Sequence, residues 1–312
     1  MNEPAAIRVF APASVANVAC GYDILGFALE RPGDEIIVRF RERPGFQISR
    51  IEGDQGKLPY AIERNTAGYA AAKLLDHLDE RERGIEMEIH KKMPFGSGLG
   101  SSAASAAGAV LAINALLGYP LKKSELLPFA VLGEQKADGA YHADNVAPAL
   151  LGGITLIRSN RMLDVHPLPV PAGLHAAVVY PHVEILTKDA RKILNPRVSL
   201  PKMVEQCGNL GGLIVGLFKE DYQLIGRALS DAVIEPQRAP LIPHFYAVKA
   251  AAVEAGALGC SISGAGPSIF ALADSLESAR RAGTAMEAVF RRAGIEAELF
   301  VSGINRRGAV TI

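Results

Sequence analysis

Apolar and charged residues alternate without a slip over "GIEMEIH": Ile85, Met87 and Ile89 share one face, and Glu86, Glu88 and His90 the other. That is the period of a half-buried strand. "IRVFAPASV" from Ile7, "DEIIVRF" from Asp34 and "FQISRI" from Phe46 predict further strands, and "RNTAGYAAAKLLDHL" from Arg64 predicts a helix with Asn65 near its start. After the alternating strand come a glycine-rich loop and an alanine-rich helix predicted over Ser102–Leu117, stopped by Gly118 and Pro120. The first turns of this helix are small on every side, so a neighbouring backbone or a ligand can approach closely. A helix over Lys123–Ala137 and the turn-rich "DGAYHADNVAPALLGG" lead into the strand "ITLIR".

In the second half, "LPVPAG" reads as a connection before the strand "LHAAVVYP". Helices are predicted over Met203–Phe218, Tyr222–Ala232 and Phe245–Ala255. Then follow the strand "GCSIS", a glycine loop, the strand "SIFALA", a helix over Leu276–Ala293 and the strand "EAELFVS". Strand, helices, two strands, helix, strand is the order of a ferredoxin-like α+β sandwich. A chain of 312 residues suits two domains of roughly 150 residues each. The expected division is 1–160 and 161–312, giving an α+β protein of two domains.

Charge narrows the function classes. Thirty-three basic and thirty-three acidic residues cancel, so no global field draws the chain to nucleic acid or to an anionic membrane. An anionic ligand has to be held locally. Cys20, Cys207 and Cys260 are far apart and odd in number, against a disulfide framework or zinc knuckle and for a reducing compartment. The N-terminus lacks the basic-then-apolar layout of a signal peptide, and no apolar stretch reaches the ~18 residues a spanning helix needs. A cytoplasmic protein is expected, with neither a membrane nor a nucleic-acid partner.

The loop "MPFGSGLGSS" is the first candidate for local chemistry. A helix starting at Ser101 and Ser102 leaves up to four unpaired N–H groups and about half a unit of positive charge, an anion site. Gly96, Gly98 and Gly100 let the main chain wrap a phosphate, and the serine hydroxyls can cap the helix or ligate a metal ion. A Walker loop needs a lysine after the last glycine, which is missing. A dinucleotide fingerprint needs a glycine where Ser101 stands and an acid ~20 residues on, where "LLGYP" is found. A phosphate cradle and a plain serine-capped turn both remain, since one geometry serves both.

The run from Pro94 through Phe95, Gly96, Ser97, Gly98, Leu99, Gly100, Ser101 and Ser102 to Ala103 and Ala104 resembles the ATP-binding motif of the GHMP kinases. "APASVANVACGYDILGFAL" from Ala11 resembles the N-terminal substrate motif of that family, in the form of its homoserine-phosphorylating branch, and "HADNVAPALLGG" from His142 agrees. "GCSISGAGPSIFALAD" from Gly259, with Gly264 and Gly266, resembles the loop that closes over the phosphates. The resemblance covers nearly the whole chain. It implies an N-terminal ribosomal protein S5 domain 2-like fold, a ferredoxin-like C-terminal domain, ATP and Mg²⁺ as cofactors, and L-homoserine as the phosphoryl acceptor. It also allows a homodimer, for which no stretch of sequence marks an interface.

The residue chemistry suits such an acceptor. A small zwitterion calls for an acid at its ammonium and cations at its carboxylate. Asp23 supplies the acid, and Arg191 and Arg238 match arginines of the family that grip a carboxylate in paired hydrogen bonds. By resemblance, Glu134 and Ser102 hold Mg²⁺, Asn65 touches the adenine, and the loop from Ser263 to Pro267 completes the pocket. Lys91 or Lys92 adds charge or is merely solvated; Thr187 and His142 are weaker candidates, His142 as a structural hydrogen-bonding residue. Where mevalonate and galactose kinases present an aspartate base, this chain has Asn145. The expectation is therefore direct attack by a hydroxyl oriented by Asn17 and Asn145, with Asp144 as the alternative base. Competing readings are a GHMP kinase for mevalonate or a sugar alcohol, and a non-catalytic ATP-binding sensor.

Overall fold

A computed structural model describes residues 6–139, 141–185 and 187–312; the side chain of Thr187 lies outside that description. The first sheet is built around a hairpin of two long strands. β1 (Ile7–Ala16) runs antiparallel to β2 (Leu25–Phe40), and the far edge of β2 is shared by two partners. Its C-terminal half pairs with β4 (Ile85–His90), which takes β3 (Phe46–Glu52) in parallel. Its first residues pair with β5 (Ile154–Ser159), which carries β6 (Asp164–Leu168). The chain end returns as β11 (Val310–Thr311) on the free edge of β1. β6 thus takes the first sheet past the division expected at residue 160, and β11 brings the last residues back to it.

Four helices accompany this sheet: α1 (Thr66–His77), α2 (Ser101–Leu116), α3 (Leu127–Asp138) and α4 (Val146–Leu151). Every residue of α2 from Ala103 to Ala115 is buried, as the lack of a polar face in its sequence requires. Its alanines let β1, β2, α1 and α3 close around it, and Val110, Leu111 and Ile113 fill the space beyond. Each such large side chain contributes about 1.5–3 kcal/mol through burial.

The second half has β7 (His175–Pro181), α5 (Thr187–Lys192), α6 (Leu200–Lys219), α7 (Tyr222–Ala228), α8 (Glu235–Arg238) and α9 (Phe245–Glu254), then β8 (Gly259–Ile262), β9 (Ile269–Ala273), α10 (Leu276–Arg292) and β10 (Ala297–Gly303). Its antiparallel sheet has the order β10-β7-β9-β8, the ferredoxin-like arrangement the sequence predicts.

Two differences from the expected elements bear on the site. The strand expected to begin at Asp34 begins at Leu25, continuing through Arg31, Pro32 and Gly33. Pro32 is tolerated because it falls between the ladder pairs Gly33–Pro12 and Ala28–Ser14, where β1 asks no hydrogen bond of it. The pairing shifts register between Pro12 and Ser14, with Leu29 to Pro32 of β2 left without a partner on β1, and beyond the shift Ser14 N–H reaches the glycine loop. The second difference is α4, a helix inside the stretch read as turns.

Candidate active site

Gly96, Gly98 and Gly100 all have positive φ, at 62°, 79° and 64°. At two of them a side chain is also excluded by contact. A Cβ on Gly100 would lie 2.1 Å from Ser14 Oγ and 2.8 Å from Asn145 Oδ1. One on Gly98 would lie 2.5 Å from the Ser263 carbonyl oxygen. The loop is held on both sides: Ser14 N–H donates to the Leu99 carbonyl at 3.0 Å, Ser268 N–H to Ser97 at 3.1 Å, and Ser263 Oγ to Gly98 at 2.6 Å. The second glycine loop therefore lies directly on the first. Ser101 Oγ, at the first residue of α2, is buried with no hydrogen-bond partner among the described residues.

A cavity of about 460 Å³ opens in front of this helix end. Of the residues expected at a nucleotide, Asn65, Phe95, Gly96, Ser97, Gly98, Gly100, Ser101, Ser102, Glu134 and Gly264 line it. Pro94, Leu99, Ala103, Ala104 and Gly266 do not; Leu99, Ala103 and Ala104 are fully buried and pack beneath the loop. Asn65 is largely committed to the protein, capping α1 through Gly68 N–H at 3.1 Å and donating to the Pro59 carbonyl at 2.9 Å. One N–H of its amide is left for a ligand.

The same cavity receives the expected substrate residues. Asp23 and Arg191 form a two-pronged pair, with both bonds at 3.1 Å. Arg238 is buried; it donates to the carbonyls of Ala190 and Gly264, each at 3.1 Å. Tyr22 lies between the two guanidinium groups, 5.8 Å from that of Arg191 and 5.1 Å from that of Arg238, within cation–π range. Burial, then the charge of Asp23, raises the pKa of Tyr22, and burial lowers that of Arg238. Asn17 donates to the Gly264 carbonyl at 2.7 Å and accepts from Asp23 N–H at 2.9 Å. It links the substrate motif to the second glycine loop.

His142 Nδ1 and Asp144 Oδ1 are 2.7 Å apart. Together with Asp23 they form a cluster whose donor atoms lie within 4.8 Å of one another, the densest acidic point of the wall. Ser14 Oγ donates to Asn145 Oδ1 at 2.9 Å, which turns the amide N–H₂ of Asn145 out for a ligand.

Besides Ser14, the sequence does not point to Asn160 or to the partner of Lys91. Asn160 donates to the Asp23 carbonyl and accepts from Ala143 N–H, both at 2.9 Å, and so clamps the Asp23 loop to the His142–Asp144 segment. It sits between β5 and β6 in a turn whose composition gives no signal. The other is the buried ion pair of Lys91 and Asp34 under the glycine loop. Lys91 Nζ also donates to the Ser101 carbonyl and to Ser105 Oγ, each at 2.8 Å. Burial lowers the pKa of Lys91, opposed by the charge of Asp34. Lys92 is the solvated one of the two, pairing with Glu35 at the surface.

Two family models fit the chain over this frame: the GHMP kinases N terminal domain over residues 65–153 and the GHMP kinases C terminal domain over 213–292. The chain belongs to the GHMP kinases. Relatives that match it over nearly the whole chain are homoserine kinases. That of Chlorobium phaeobacteroides strain BS1 is 48% identical, over 97% of this chain and 98% of its own, and that of Chloroherpeton thalassium is 49% identical over 96% and 97%. The crystal structure of homoserine kinase from Cytophaga hutchinsonii superposes with a TM-score of 0.96 at 52% identity, covering 98% of this chain and 97% of that one.

Proposed function

We propose that the cavity transfers the γ-phosphoryl group of ATP to the hydroxyl of L-homoserine, giving O-phospho-L-homoserine and ADP, the phosphorylated acceptor serving threonine biosynthesis. The observation that carries this reading is one cavity holding both a helix N-terminus wrapped by glycines and a matched set of one acid and two arginines. The first suits phosphates and the second a zwitterion. Mevalonate has no amine to offer the acidic cluster of Asp23 and Asp144. A sugar would give Arg191 and Arg238 no carboxylate.

In this reading the N–H groups at the start of α2 receive the phosphates, and Lys91 steadies that turn through the Ser101 carbonyl. Asp23 takes the ammonium and Arg191 with Arg238 the carboxylate. Asn145, its acceptor side held by Ser14, donates to the acceptor hydroxyl and orients it for attack. Because an amide cannot take a proton as a carboxylate does, the proton leaves with the transferred phosphoryl group or to water. Asp144, held by His142, is the second reading for a base, favoured by its place in the acidic cluster.

Glu134 and Ser102 in the cavity wall, with the buried unpartnered hydroxyl of Ser101 beside them, make an all-oxygen set that fits a hard cation. Mg²⁺ held there would neutralise charge on the β- and γ-phosphates. Three free thiols and a zero net charge suit a cytoplasmic enzyme, and no helix among the described residues is long and apolar enough to cross a membrane. The test is ADP release on adding L-homoserine, mevalonate or galactose to the protein with ATP and Mg²⁺. Release with L-homoserine alone is expected; release with none of the three sinks the kinase reading.

A further inference from the structure

α2 packs on the face of the first sheet that carries Ala11 and Ile36, which a Cβ placed on Gly108 would meet at 3.1 and 2.9 Å. Phe10 and Glu35, a ladder pair next to these residues, therefore face the other way. On that side the sheet opens. Four residues of β2, Leu29 to Pro32, stand unpaired where β1 supplies only Ala13, and Ile304 of the segment joining β10 to β11 bridges to Leu29. Between this bulge and that segment is a second cavity of about 730 Å³, inside the ~300–1,000 Å³ of small-molecule sites. It shares no lining residue with the cavity at the glycine loop. Asp34 turns to the helix side and pairs with Lys91 beneath that loop, while Glu35 lines the second cavity, so the two cavities lie on opposite faces of one strand.

Phe10, Pro32 and Val310 give the cavity an apolar wall. Gly33 makes room for the Phe10 ring, since a Cβ there would lie 2.3 Å from it. The charged groups do not cancel. Lys92 is neutralised by Glu35. Arg306 gives one N–H to the Val170 carbonyl at 2.8 Å and keeps four others. Arg31 and Arg307, both exposed, have no hydrogen-bond or ion-pair partner for their side chains among the described residues. Against these three guanidinium groups the cavity sets one further acid, Glu30, whose carboxyl lies 3.1 Å from where a Cβ on Gly303 would stand. The excess positive charge is felt nearby: Lys123 Nζ donates to the Arg307 carbonyl at 2.5 Å, and after burial it is the charge of Arg307 that lowers the pKa of Lys123. Guanidinium forks match carboxylates and phosphates, and an apolar wall beside them fits an anion that carries an apolar group.

We propose that this cavity is a second binding site, for a small organic anion whose carboxylate or phosphate is held by Arg31, Arg306 and Arg307 while its apolar group lies against Phe10. Phenyl phosphate and phenylacetate are the probes, titrated calorimetrically into the full chain with and without excess ADP and Mg²⁺. With the cavity at the glycine loop so occupied, at least one probe should bind once per chain with a Kd below about 1 mM, the tighter of the two identifying the headgroup. Inorganic phosphate and benzyl alcohol, each carrying half of that chemistry, should bind at least about tenfold more weakly. Arg31→Gln and Arg307→Gln should each weaken the better probe about tenfold, and Glu30→Gln should tighten it. All three positions are exposed, so far-UV spectra and phosphoryl transfer should stay as in the natural chain. The proposal is overturned if neither probe binds, if excess ADP abolishes the binding, or if both arginine variants bind as the natural chain does. Looser binding in Glu30→Gln would likewise overturn it, since that carboxylate would then be attracting a cation.

Discussion

Asp23 and Arg191 stand 168 residues apart in the chain and meet fork to fork through two hydrogen bonds of 3.1 Å. Their side chains are 26% and 38% exposed, and a pair this open to solvent adds at most about 1 kcal/mol to stability. In the proposed reading its use lies in recognition, since each partner is the complement of one end of an amino acid. Asp23→Asn should therefore raise the KM for L-homoserine at least tenfold while the KM for ATP stays within about twofold. Steady-state kinetics with each substrate varied in turn checks this, and equal rises in both constants would mean a general distortion of the cavity.

Asn145 and Asp144 are adjacent, and the proposed mechanism gives them different places. If attack is direct and Asn145 orients the hydroxyl, Asn145→Ala lowers kcat about 10–100-fold and Asp144→Asn acts chiefly on the KM for L-homoserine. A loss of several orders of magnitude in kcat for Asp144→Asn, with ATP binding intact by calorimetry, would move the proton transfer to Asp144.

Gly100→Ala combines a positive φ with a Cβ 2.1 Å from Ser14 Oγ. The loop and Ser14 have to separate to admit it, breaking the contact that fixes Asn145. The expected result is loss of ATP binding by at least tenfold in Kd and a cost in stability of about 1–3 kcal/mol. ATP titration and urea unfolding measure the two effects separately. Gly96→Ala, at a site of positive φ with nothing within 4 Å, should show only the milder conformational cost.

Lys123, away from the cavity, gives a pH signature. Burial, helped by the charge of Arg307, pushes its pKa down from 10.5 to about 8. Between those two values the unfolded chain binds a proton that the folded chain does not, so this residue's contribution to stability rises with pH across that window. The stability of the natural chain minus that of Lys123→Met should grow from about pH 7.5 to about pH 10.5, read from urea midpoints. A constant difference would contradict it.

How much of this could be read beforehand depended on whether the cause was local. The alternation over Ile85–His90, the glycine loop and the order of elements in the second half are set by neighbouring residues, and the structure follows them. β2 was read short because Pro32 and Gly33 look like a break until β1 shows that no ladder bond is asked of Pro32. Ser14, Asn160 and the Lys91–Asp34 pair act through partners 131, 137 and 57 residues away, a separation no periodicity carries. Asn17 and Asn65, which the family resemblance marks as ligand groups, are also structural bond-formers, since a buried amide has to be satisfied by the protein around it.

In the proposed reading one end of the cavity takes both charges of an amino-acid acceptor. The decisive comparison is of L-homoserine with 4-hydroxybutyrate, which keeps the hydroxyl and carboxylate and lacks the amine. With saturating ATP and Mg²⁺, kcat/KM should be at least about 10³-fold higher for L-homoserine, because the analogue brings no ammonium to the acidic cluster of Asp23 and Asp144. Equal values for the two acceptors would mean that the cavity does not read the amine.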